Sequence, residues 1–139
     1  MAEPIVFVGT HRIHEGKLEI AKAASAGLVQ FVRENHPRVL HFEIYIDDDT
    51  RQMTVIQIHP DEASLMQHMQ LAGDKLAQAY EFLDTDMVRI FGSPSEMLKS
   101  ALSNMASRER VSIESPFAGF SRLVSVAAPE GPAAHRAGA

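Results

Sequence analysis

Between Met53 and Leu83 the chain reads MTVIQIHPDEASLMQHMQLAGDKLAQAYEFL, a strand, a tight break and a long helix. Thr54, Ile56 and Ile58 alternate with Met53, Val55, Gln57 and His59, the period of two that a strand requires. Pro60 and Asp61 interrupt it, and Asp61 is suited to cap the helix because its carboxylate can accept from free backbone N–H groups. Around the helix, Leu65, Ala72, Leu76, Ala79 and Leu83 form one stripe, with Met69 and Tyr80 on one flank and His68 on the other. Gln67, Gln70, Asp74, Gln78 and Glu81 fall on the far side. This unit constrains the fold most, because its apolar stripe needs a sheet to lie on.

The rest of the chain supplies that sheet. Residues 4–13 put Ile5, Phe7, Gly9, His11 and Ile13 on one face and Val6, Val8, Thr10 and Arg12 on the other. Large apolar groups on both faces predict a strand covered on both sides. Residues 17–35 are helical, with Leu18, Ala21, Ala24, Ser25, Leu28, Phe31 and Val32 inward, and Pro37 ends the helix. Gly27 within this helix suggests close packing against a neighbour. Residues 39–47 are a strand with Leu40, Phe42, Ile44 and Ile46 on one face, and Asp47 to Gln52 form a solvated hairpin turn rather than a calcium loop. Residues 85–91 are a further strand. Ser93-Pro94-Ser95-Glu96 reads as a helix start with Ser93 as cap, and the helix after it is expected to bury Met97, Leu98, Ala101, Leu102 and Met105. A weaker strand signal lies around Val111, Ile113 and Leu123 to Val126.

The 139 residues are enough for one domain, expected over 1–127, with a core at 4–92, a helix and strand extension at 93–127 and a disordered tail at 128–139. There is no cysteine, which excludes disulfides, thiolate metal sites and a cysteine nucleophile, and which fits a reducing cytoplasm. The net charge is −5 with no basic stripe, so no nucleic-acid partner is expected. No apolar run is long enough to span a membrane, and the apolar start lacks the basic region of a signal peptide.

The order β-α-β-β-α-β is the ferredoxin-like split βαβ arrangement, an α+β fold with both helices on one face of a four-stranded antiparallel sheet and an extra C-terminal helix. The other face still carries apolar groups. A second copy of the same face is the simplest cover, which predicts a homodimer. The strand VLHFEIYIDDD, its hairpin and the junction QIHPDEASLMQH together resemble the dimeric α+β barrel superfamily, in particular its antibiotic-biosynthesis-monooxygenase-like branch, over about residues 4–92. That branch often has a Glu-x-Trp-x-Asp junction followed by a helix His. Asp61 and His68 match it, while Gln57 and His59 stand where the Glu and the Trp would be.

The resemblance implies a ligand pocket between helices and sheet and a small aromatic or polyketide-like ligand. It implies cofactor-independent monooxygenase chemistry, with haem binding as an alternative. His68 is the first candidate as general base or polar anchor, or as an axial ligand to haem. His59 is its candidate catalytic helper. Arg89, Tyr80, Gln57, His41 and His11 are candidate ligand contacts, and no His spacing supports a metal site. The quinone-forming members of the branch use an Asn–Trp–Tyr group, and the haem-degrading members an Asn, a Trp and a helix His. This chain has no Trp, and neither Asn35 nor Asn104 is on a core strand, so only His68 has a counterpart. A non-catalytic dimeric ligand-binding or stress-associated protein of the same fold is therefore the rival reading.

Overall fold

The computed structural model of the protein describes residues 3–105 and 110–123. Strands β1 (Ile5–Ile13), β2 (His41–Asp47), β3 (Gln52–His59), β4 (Leu83–Phe91) and β5 (Arg110–Glu114) alternate with helices α1 (Leu18–Asn35), α2 (Glu62–Ala79) and α3 (Glu96–Met105). The sheet order is β2-β3-β1-β4-β5. Its first four strands are antiparallel, as the ferredoxin-like order predicts, and β5 joins parallel to β4. The fifth strand forms at the weak signal around Val111 and Ile113 and extends the expected four-stranded sheet. α3 carries the chain back to the start of β4, and a helical crossover returns the next strand parallel.

β1 shows why both of its faces are apolar. Ile5, Phe7, Gly9, His11 and Ile13 are buried beneath the helices, while Val6, Val8 and Thr10 are half-buried on the outer face. Across the sheet, outer rows align His41, Ile58, Val6 and Phe91, then Glu43, Ile56, Val8 and Arg89, then Tyr45, Thr54, Thr10 and Met87. No helix among the described residues covers this face, and Tyr45 on it is 48% exposed.

The helix side holds two buried clusters. Leu65 of α2 and Leu98 and Leu102 of α3 pack on Ile5, Phe7, Val88 and Ile90. Ala21 of α1 packs on Ile13, Met53, Val55 and Leu83. Asp61 caps α2 as expected, accepting from Ser64 N at 3.0 Å, and its carboxylate also pairs with Arg38. The hairpin turn closes on Asp47, whose Oδ1 accepts from Asp49 N at 2.9 Å.

Several boundaries differ from expectation. α2 stops at Ala79 and not at Leu83, because a turn through Tyr80, Glu81 and Phe82 closes there and Leu83 already pairs with Ile13 in β4. Residues 39–40 precede β2, and Leu40 is 42% exposed. Ser95, not Ser93, caps α3, its Oγ accepting from Leu98 N at 3.3 Å, and Glu62 of α2 accepts from Ser95 N at 2.8 Å. Met97, expected to be buried, is 67% exposed, while Leu98 and Leu102 are buried. Beyond β5 no strand forms up to Leu123, and Phe117 is fully exposed. The weak strand signal at 124–126 and the tail at 128–139 lie outside the described residues.

Candidate functional site

α1 and α2 do not close on one another over the sheet. Ala24 is exposed and Leu28 only half-buried on the face of α1 expected inward, and Leu76 of α2 is 37% exposed. A cavity of about 430 Å³ separates the helices and reaches the sheet at Phe7, Phe42, Ile44, Met53, Val55 and Val88. Gly27 lines it, and a Cβ added there would meet nothing within 4 Å, so this glycine marks open space and not the close contact expected. Gln78, expected on the far side of α2, also lines the mouth, because the cavity widens the inward face. Such a volume, apolar walled with a few polar groups, is typical of a site for a small organic molecule.

One polar group of the wall is tied to buried histidines behind it. His68 lines the cavity from α2, and its Nδ1 lies 3.0 Å from Nδ1 of His36, the residue that terminates α1. The rings of His36 and His68 meet edge to face at 4.9 Å, and Phe42 flanks His68 at 5.6 Å. His59 is wholly buried behind His68, with ring centres 5.8 Å apart. Both its nitrogens are engaged, Nε2 with Gln57 Oε1 at 2.8 Å and Nδ1 with Ser64 Oγ at 2.7 Å. Gln57 itself lines the cavity.

Burial dominates the electrostatics here. It lowers His68 from the ordinary 6.5 to about 3 and His59 to about 4, because a charged imidazole loses its hydration, and the neighbouring histidines lower both further. His36 is lowered by burial as well. All three rings are therefore neutral at pH 7.

His11 lies at another part of the wall, its Nδ1 2.9 Å from Thr85 Oγ1, and burial lowers it to about 4. The β1–β4 register shifts between Thr10 and His11, skipping Asp86, and this irregularity sets Thr85 opposite His11. Gly9 makes room for that ring, since a Cβ there would stand 3.0 Å from His11 Nε2.

Of the residues singled out from the sequence, the cavity gathers His68, Gln57 and His11. His59 stands one layer behind, touching Gln57. Arg89 and His41 are on the other face of the sheet, away from the cavity, because their strand positions have the opposite parity to the buried residues. Arg89 pairs there with Glu114 at 2.6 Å and lies over the Phe91 ring. Tyr80 sits at the C-cap of α2, outside the cavity wall. His36 was missed because His-Pro reads as a helix stop. Its partner lies 32 residues away, and only the crossing of α1 and α2 brings the two together.

No group of three His, Asp or Glu side chains among the described residues has the geometry of a metal site. Lys75 is the single cation of the cavity wall and is held over the Phe31 ring, so the wall does not match the two carboxylates of a haem. No helix among the described residues is long and apolar enough to cross a membrane.

No family model matches the sequence. No curated protein is similar to it either. Solved structures match strongly. MupZ from Pseudomonas fluorescens superposes with a TM-score of 0.72 at 18% identity, over 91% of this chain and 99% of that one. SnoaB from Streptomyces nogalater, a cofactor-independent oxygenase, superposes at 0.57 and 13% identity over 69% of this chain and 98% of its own. An antibiotic biosynthesis monooxygenase superposes at 0.56 and 17% identity, over 66% of this chain and 99% of its own. The fold is that of the antibiotic biosynthesis monooxygenases. This monooxygenase-like α+β fold agrees with the resemblance read from the 39–68 region. The 91% coverage of the MupZ match is too large for β1 to β4 alone and must run into α3 and β5.

Proposed function

We propose that the protein binds a small aromatic or polyketide-like molecule in the cavity between its helices and sheet and acts on it as a cofactor-independent monooxygenase. The observation that carries this reading is the apolar cavity of about 430 Å³ with His68 and Gln57 at one polar end. His68 is the polar anchor or base. It is neutral at pH 7, as an anchor requires, and its lowering to about 3 makes it a weak base. The shared fold with a cofactor-independent oxygenase supports the chemistry by analogy.

The second reading is a ligand-binding protein without chemistry. It is favoured by the absence of Trp and by the way Gln57 Oε1 is taken by the buried His59. Anthrone separates the two. The first reading predicts saturable binding and dioxygen uptake above the spontaneous rate, with no added metal or cofactor. Binding without uptake selects the second reading, and no binding contradicts both.

The outer sheet face belongs to the same proposal. Its rows of Ile58, Val6 and Phe91 and of Ile56 and Val8 form an apolar surface that a second copy would close into a barrel. Val8 and Ile56 face each other at its middle. A Val8→Glu variant would bury a carboxylate there at a cost of several kcal/mol. Light scattering is expected to show a dimer for the native chain and a monomer for V8E. A native monomer at micromolar concentration contradicts the barrel.

A further inference from the structure

The hydrogen bonds around the polar end of the cavity have a direction, and that direction decides which atoms face a ligand. His36 and His68 share a single proton between their Nδ1 atoms. One ring donates and the other accepts. Nε2 of His36 is buried and has no hydrogen-bond partner. Were His68 the donor, the neutral His36 would carry its own proton on that Nε2, leaving an N–H buried without an acceptor. With His36 as donor, the same Nε2 keeps only an unused lone pair. Orphaned buried N–H groups are rarer and costlier than under-used acceptors. His36 therefore donates, and His68 carries its proton on Nε2.

The second set is directed in the same way. Gln57 Oε1 can only accept, so His59 donates to it from Nε2. His59 Nδ1 then accepts from the Ser64 hydroxyl. The amide nitrogen of Gln57, with two N–H groups, takes no part in this chain and is left for the cavity that Gln57 lines.

We propose that His68 Nε2–H and the Gln57 amide N–H form a donor pair that takes a carbonyl or enolate oxygen of an aromatic ketone, with His36 and His59 as positioning residues. This deepens the function proposed above and rests on the cavity being the ligand site. It makes His68 an anchor that stabilises negative charge on oxygen, and it removes Nε2 as a general base in the resting tautomer. Among the other polar wall groups, His11 is paired with Thr85 through Nδ1, Ser25 with Met53, and Lys75 stands over Phe31.

Long-range proton–nitrogen NMR correlations on the ligand-free, isotope-labelled protein at neutral pH read the ring protons directly. The expected pattern for His68 is a protonated Nε2 and a bare Nδ1, and the reverse pattern overturns the proposal. Acetylnaphthalene and ethylnaphthalene then test the ligand, since they differ chiefly by the ketone oxygen. The ketone is expected to bind about tenfold more tightly. His36→Leu should reduce the preference for the ketone, and His36→Gln, which keeps a donor, should restore it. Equal binding of both compounds to the native protein overturns the donor pair while the cavity stands as a site. Failure of both to bind removes the cavity reading and the ligand class with it.

Discussion

Acidification from neutral pH to about 4.5 is expected to unfold the protein through its buried histidines. His11 and His59 are lowered from the ordinary 6.5 to about 4, and His68 to about 3, in each case chiefly by burial. In the unfolded chain the same rings take up protons near their ordinary value. Stability is therefore full above that value and is lost as pH falls from there towards the folded values. Each proton taken up on unfolding costs about 1.4 kcal/mol per pH unit. Three together approach the whole stability of a domain of this size, about 5–15 kcal/mol. Urea unfolding followed at a series of pH values checks this. A midpoint unchanged between neutral pH and about 5 would contradict it.

His68→Ala is expected to weaken binding of acetylnaphthalene by up to about tenfold. The variant removes the anchor and also the partner of His36, whose Nδ1–H would then be buried without an acceptor at about 1–3 kcal/mol. Some loss of stability should accompany the loss of affinity, so binding is to be compared at a temperature where the variant is fully folded. Arg89→Ala is the control. Arg89 stands on the opposite face of the sheet with Glu114, and its loss should leave affinity within about twofold of the native value. A His68→Ala variant that binds as well as the native protein would mean that the ligand never reaches the polar end.

Much of this fold was legible in the chain. The alternation in β1 and β3, the Asp61 cap and the apolar outer face followed from side-chain period and turn chemistry, because strands and caps are specified locally. The helix faces were legible only in part. Ala24, Leu28 and Leu76 were assigned inward, and they do point inward, but into a cavity and not into a neighbouring side chain. Apolar periodicity gives direction and cannot tell a filled interface from an open one. The candidate site was legible at His68 and Gln57 because the junction motif placed them. His36 was not, since its role depends on where two helices cross. Arg89 and His41 show a different failure. Their strand parity puts them on the outer face, which their polar residue type does not override.

A crystal structure of the protein with acetylnaphthalene tests the central claim most directly. The ring system is expected between α1 and α2 against Phe42 and Val55, with the ketone oxygen at about 3 Å from Nε2 of His68. The compound seated on the outer face of the sheet, or lying in the cavity with its oxygen turned to Lys75, would contradict it.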